Sequence, residues 1–316
     1  MSDVGFLAST ALLNGLPERE LTELARVLRR RRFGAGEVLW REGEPASAML
    51  LIEEGRVALS LQLPGGRTIE VATSGRGEVL GEIPLIDGGR HAATAIVTEA
   101  ATLLSLSAAD FAALVSRRHP TAFTLKRRVA HLACARLRHQ IAGHAESIGG
   151  GPPAAHEPPG ELEFRGPPDS RYVRRLANFH AFDPLALWGL LTASRFAMCP
   201  SGRTLVAEGE SSEACYLTIN GAVEKVVARG GRRIRVGLAG PGLAFGYESL
   251  IDGGPAPVTA TTRERTLLLV LPRAAFDRLF HGDLPESQMF LDVINRDLMA
   301  SLRQALRPNA HLATSL

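Results

Sequence analysis

Cysteine is scarce. The chain has three in 316 residues, Cys134, Cys199 and Cys215, an odd number at spacings that fit neither a disulfide framework nor a metal site. Buried free thiols in a reducing, cytoplasmic setting are the expectation. Long apolar runs are also missing: nothing approaches the 18 or so uninterrupted apolar residues that a bilayer requires. The opening MSDVGFLASTALLNGL has an acidic residue and no Lys or Arg before its short apolar stretch, so it does not read as a secretory leader, and neither end carries a lipidation motif. A membrane partner is therefore not expected. A strong excess of one charge is absent too. Residues 1–150 hold 18 Lys+Arg against 16 Asp+Glu and the remainder 18 against 17, so the pI near 9.0 does not mark a basic nucleic-acid domain. With 45% hydrophobic and 22% charged residues, neither disorder nor a fibrous class is indicated.

Catalytic signatures are lacking as well. None of the nine histidines forms an H-x-H pair, and His131 and His139, eight apart on a helical stretch, stand roughly two turns from each other. That disfavours a metal-dependent double-barrel enzyme. Nucleophile elbow, Walker loop and kinase signature are missing. The sequence is read as non-enzymatic, with no catalytic residue, no metal and no cofactor.

What the chain does contain is itself, twice. Gly36, Gly43 and Gly55 recur as Gly202, Gly209 and Gly221, shifted by 166; Gly81, Asp87, Gly88, Gly89, Thr94 and Phe111 recur as Gly246, Asp252, Gly253, Gly254, Thr259 and Phe276, shifted by 165. Each copy opens with an amphipathic helical stretch, PERELTELARVL near 17–28 and DPLALWGLLTAS at 183–194. Short apolar runs broken by glycine follow. MLLIEEGRVALSLQL and CYLTINGAVEKVVA each suggest two strands of a hairpin around a turn. The pattern predicts a mainly β fold with flanking helices, a β-roll or jelly-roll barrel in each half. Residues 10–147 form the first domain, 148–172 a Gly/Pro-rich linker, 173–307 the second domain and 308–316 a tail.

Helices follow each barrel. In the stretch 121–143, Leu125, Val129, Ala133, Leu137 and Ile141 form an i, i+4 stripe that needs a partner. Its partner is either the chain's own barrels or the same helix of a second copy, giving a homodimer.

The segment GEIPLIDGGRHAAT (81–94) carries the candidate chemistry. Successive backbone N–H groups and a basic residue can hold a phosphate, while a carboxylate accepts from a ribose hydroxyl. Small residues let the backbone approach. On this repeat and this segment the chain resembles the cyclic nucleotide-binding domains of the cyclic-AMP receptor proteins and protein kinase A regulatory subunits, over about 10–147 and 176–307. That family's cassette reads approximately F-G-E-[LI]-[AG]-L, a spacer, then P-R-[AST]-A-[TS], with Glu on the ribose and Arg on the cyclic phosphate.

The resemblance implies a cyclic nucleotide site at Gly81, Glu82, Ile83, Arg90, His91, Ala92, Ala93 and Thr94. Arg90 stands one residue early and His91 occupies the family's arginine position. Ala92, where relatives selective for cyclic GMP commonly carry Thr, leans toward cyclic AMP. The second cassette, Gly246, Tyr247, Glu248, Ala256 and Pro257, is degenerate: Tyr replaces Glu, Ala replaces Arg, and Pro removes an N–H. Family members that bind DNA carry a helix-turn-helix after the helix that follows the barrel. Here the linker and second barrel take that place and about ten residues follow the last helix, so DNA is not the expected partner; RRRR (29–32) and KRR (126–128) read as solvated faces. The expected function is a regulatory sensor of cyclic AMP acting on an unknown protein partner. A scaffold without nucleotide binding, a sensor of another small ligand, and a regulator with atypical DNA contact stay open.

Overall fold

A computed structural model describes residues 3–63, 65–147, 162–176, 178–180, 182–229 and 232–312. The chain divides into two compact units, residues 1–132 with 309–316, and residues 133–308. The division falls inside a helix rather than at the Gly/Pro stretch, of which 148–161 lie outside the described residues.

The first unit runs α1 (Asp3–Ser9), α2 (Glu18–Val27), β1 (Arg29–Phe33), β2 (Val38–Trp40), β3 (Ala48–Gln62), β4 (Thr68–Ser74), β5 (Val79–Leu80), α3 (Glu82–Asp87), β6 (Thr94–Ser107), α4 (Ala108–Ser116) and the start of α5 (Pro120–Ser147). Helix α1 buries Phe6 and Leu7. The antiparallel sheet has the order β1-β6-β3-β4, with β2 on β6 and β5 on β3. Alternate residues face inward, and Trp40, Leu50, Ile52, Val57, Leu80, Val97 and Leu103 build the core of the roll.

The expected hairpin in MLLIEEGRVALSLQL is not there. Residues 48–62 form one strand that pairs along its length with β6, from Ala48 opposite Ser107 to Ser60 opposite Thr94. Register shifts cluster between Ile52 and Val57, around Gly55. This glycine kinks the strand instead of reversing it. Its φ is 87°, and a Cβ there would lie 2.4 Å from the Ala100 carbonyl oxygen. No L side chain fits.

The second unit holds the rest of α5, then β7 (Glu163–Arg165), α6 (Ser170–Arg174), α7 (Pro184–Thr192), β8 (Arg195–Cys199), β9 (Thr204–Val206), β10 (Ala214–Asn220), β11 (Val223–Arg229), β12 (Arg232–Ala239), β13 (Ala244–Phe245), α8 (Glu248–Asp252), β14 (Thr259–Thr262), β15 (Thr266–Pro272), α9 (Arg273–His281) and, up to residue 308, α10 (Pro285–Leu312). Two sheets, β13-β10-β15-β8-β7 and β12-β11-β14-β9, enclose its core. The second expected hairpin also fails: β10 and β11 belong to different sheets. Between them Gly221, at φ 92°, brings the backbone against Thr266, whose Cα would be 2.9 Å from an added Cβ. The repeated glycine thus serves the same close approach in both rolls.

All five stripe residues of α5 are buried, at 1–5% exposure, within a single chain. The stripe straddles the division between the two units, with Leu125 and Val129 in the first and Ala133, Leu137 and Ile141 in the second. The three thiols are free and buried. Burial pushes each of them up from the ordinary cysteine range. The RRRR segment is β1, exposed at all four arginines, with Arg30 paired to Glu53 at 2.7 Å. Among the described residues no helix is long and apolar enough to cross a membrane.

Candidate functional site

In the first unit β5 ends at Gly81, whose φ of 75° turns the chain into the short helix α3. Only glycine fits, since a Cβ would lie 2.7 Å from the carbonyl oxygen of Ala48. Glu82 opens α3 and is buried, and Ile83 is half-buried. A second left-handed glycine, Gly88, ends the helix, and the Asp87 carboxylate accepts from Gly89 N–H at 2.9 Å. The chain then runs extended through Arg90 and His91 into Ala92, Ala93 and β6, beginning at Thr94.

That extended run decides what each basic residue can do. Pro45 and Arg90 form an antiparallel bridge; His91 N–H donates to the Glu44 carbonyl at 2.9 Å, and its own carbonyl accepts from Gly43 N–H at 2.8 Å. Neighbours in extended chain point to opposite faces. Arg90 therefore faces solvent, with Nη1 donating to the Gly43 carbonyl at 2.7 Å. His91 faces inward, 4% exposed, its ring stacked on Trp40 with centroids 4.2 Å apart and 13° between planes. Its Cε1 would be 3.5 Å from a Cβ on Gly81. The structure sets His91 against Gly81, next to the buried Glu82, with Ala92, Ala93 and Thr94 following in the chain, and leaves Arg90 exposed on the other side of the segment.

Trp40 went unpredicted. Its indole Nε1 donates to the Ala93 carbonyl at 3.1 Å, fixing both the ring and the start of β6. Leu61, Leu63 and Ala93, with half-buried Ile69 and Val71, form an apolar wall beside it.

The second cassette keeps the backbone and changes the contents. Gly246 has φ 76° and Gly253 φ 72°, matching Gly81 and Gly88. Tyr247 is fully buried and its hydroxyl donates to Asp297 Oδ2 on α10 at 2.6 Å. Glu248 is buried one position later. Burial pushes the Glu248 and Asp297 carboxyls up from the ordinary range, opposed by the charge of Lys225, whose Nζ donates to Ser301 Oγ at 3.2 Å. Burial raises the Tyr247 phenol as well. Ala256 packs into the core of the roll, and Pro257 is buried beside it. Tyr216 and Phe245, the counterparts of Leu50 and Leu80, stack at 5.2 Å and fill the interior.

From the part of α5 that belongs to this unit, Arg138 closes a fork on Asp252. Nη2 donates to Oδ1 at 2.7 Å, Nη1 to Oδ2, and Nε to the Pro255 carbonyl at 2.7 Å. Gly254 leaves room for it, because a Cβ there would lie 2.7 Å from the Arg138 Cζ. Asp297, Lys225 and Arg138 carry no motif. The one signal was Tyr247, a buried phenol that needs an acceptor.

The likeness to known proteins runs along the same lines. The model of the cyclic nucleotide-binding domain family matches residues 30–118 and 198–283, together more than half of the chain. The cyclic AMP receptor protein of Thermus thermophilus is 31% identical over 127 residues, 39% of this chain and 59% of that protein. The cyclic nucleotide-gated potassium channel mll3241 of Mesorhizobium japonicum is 36% identical over 110 residues, 35% of this chain and 29% of the channel. Among solved structures, the regulatory domain of Toxoplasma gondii protein kinase A with cAMP aligns over 98% of this chain and 95% of its own, at 19% identity and a TM-score of 0.34. Both halves of this sequence match one and the same domain, and the chain belongs to the cyclic nucleotide-binding domain family.

Proposed function

We propose that this protein is a non-enzymatic regulator whose first roll takes a cyclic nucleotide, cyclic AMP in preference to cyclic GMP, while its second roll no longer takes one. The observation that carries this reading is that buried His91 lies against Gly81, the residue before buried Glu82. The Glu82 carboxylate accepts from a ribose hydroxyl, and the imidazole donates to the cyclic phosphate in place of the family's guanidinium. Small residues at 92 and 93 admit the phosphate to the backbone N–H groups, and the Leu61, Leu63 and Ala93 wall receives the base. Ala92 supports cyclic AMP, in that cyclic-GMP-selective relatives commonly carry Thr there. The second roll offers an aromatic stack, a buried Ala256 and a tyrosine held by Asp297, none of which recognises a ribose phosphate.

Binding acts by favouring one position of the helices that follow the first roll, and a ligand shifts that balance only by its differential affinity. Titration calorimetry with cyclic AMP and then cyclic GMP tests the reading. Saturable binding, tighter for cyclic AMP and lost in Glu82→Ala, is expected. His91→Arg should tighten it about ten-fold, the low end of what one charge-assisted hydrogen bond contributes. No binding of either nucleotide by both wild type and His91→Arg would leave a scaffold, or a sensor of another ligand.

A further inference from the structure

Helix α7, PLALWGLLT, is apolar nearly all round, a composition that belongs to a helix covered on every side. It is not so covered. Ala186, Leu187, Leu190 and Leu191 pack inward, while Leu185 and Trp188, one turn apart, are 79% and 63% exposed. Beside Trp188 lie three more of the exposed apolar side chains of the second unit, Phe164, Leu185 and Leu284. Phe164 on β7, 48% exposed, shares with it a groove of about 680 Å³, and Leu185 and Leu284 share with it a smaller depression of about 370 Å³. Contiguous exposed apolar surface of this kind marks a place where something binds.

Charge says what. Among the described residues the groove is lined by Arg165 and Arg195 and by no carboxylate. The Arg195 guanidinium lies over the Phe164 ring at 5.1 Å, a geometry that leaves its edge N–H groups for an acceptor. Ser170 of α6 lines the groove, and Arg174, four residues on and exposed, shares its helix face. Over 163–175 and 195 there are five arginines, 165, 171, 174, 175 and 195, against Glu163 and Asp169 alone. Glu163 pairs with Arg165 and Asp169 with Arg171, which leaves the positive excess at Arg174, Arg175 and Arg195. The far depression carries Asp183 and Glu286 instead, so the surface is polarised along its length.

We infer that this groove docks an acidic amphipathic segment of a partner protein. An aromatic or aliphatic anchor enters between Phe164 and Trp188, and carboxylates from the same segment meet the arginine rim. Apolar anchors supply the affinity of such a surface; the charges set orientation and on-rate.

The test uses the full chain and a fluorescently labelled synthetic peptide of about 15 residues, with Leu and Phe at i and i+4 flanked by glutamates, beside a counterpart with lysine at each glutamate. Polarisation should show saturable binding of the acidic peptide only, weakened as salt is raised. Trp188→Ala, at an exposed position, should weaken it at least about ten-fold, and Arg174→Glu with Arg195→Glu should abolish it. Equal binding of both peptides, or of neither, overturns the inference. A concentration-dependent dimer of wild type that Trp188→Ala dissolves overturns it too, by assigning the face to a second copy.

Discussion

Tyr247→Phe removes one oxygen from the interior of the second unit, and its cost can be worked from the surroundings. The ring keeps its packing, because the hydroxyl alone is lost. What changes is Asp297, 5% exposed, which gives up a 2.6 Å donor in a place that water does not reach. A hydrogen bond to a charged partner contributes about 1.5–3 kcal/mol, and an abandoned buried acceptor costs a comparable amount. Burial raises the Asp297 carboxyl, and a more protonated carboxyl depends less on the phenol, so the lower part of that range applies. We expect a loss of about 2 kcal/mol. For a unit of this size that lowers its melting temperature by about 4–8 °C in calorimetry. Asp297→Asn keeps an acceptor for the phenol and removes the buried carboxylate, so it should cost less. In that background Tyr247→Phe should cost less again, since the two residues act on one bond. A Tyr247→Phe protein that melts within a degree of wild type refutes the assignment, as does an undiminished penalty in the Asn background.

Three further outcomes follow from the same coordinates. Gly55→Ala places a Cβ 2.4 Å from a carbonyl oxygen at a φ that L residues avoid, and should destabilise the first unit by about 3 kcal/mol or more in denaturant titration. Because burial raises Glu248 and Asp297, the folded second unit holds their protons more tightly than the unfolded chain does. Its stability is therefore full below the ordinary carboxylate range and declines as pH rises through the raised values. Glu248→Gln should flatten that decline in melts followed between about pH 4 and 7, and an unchanged slope would place the cause elsewhere. Finally, the thiols of Cys134, Cys199 and Cys215, buried and pushed up by burial, should react with a thiol reagent only after denaturation; rapid reaction of a native thiol would contradict their placement.

The roll, the repeat and the cassettes could be read from the sequence because each rests on local constraints. Gly55 and Gly221 recur since both mark a close backbone approach, and Asp183 begins α7 by accepting from Ala186 N–H at 2.8 Å, a cap visible in the letters. The hairpins were misread because a glycine that kinks a strand and one that reverses it look alike in one dimension. The opposite exposure of Arg90 and His91 was legible too, since adjacent residues of an extended chain face opposite ways. Asp297 and Arg138 were beyond reach. They lie 50 and 114 residues from their partners, and neither carries a local signature of the contact it makes.

A guanidinium does reach the second cassette, delivered from another helix and not from position 256. Arg138 rests on the same loop and satisfies Asp252, while the vacated position has been sealed into the core. This arrangement resists single substitutions. An Ala256→Arg change would push a second cation into packed apolar space, and a Tyr247→Glu change would set another carboxylate near Asp297 and Glu248. Each of these positions is matched to the side chains that now surround it. Converting this cassette to the family pattern therefore takes coordinated replacement of residues from α5, the loop and α10, and a design that swaps the cassette letters alone is expected to disturb the core first.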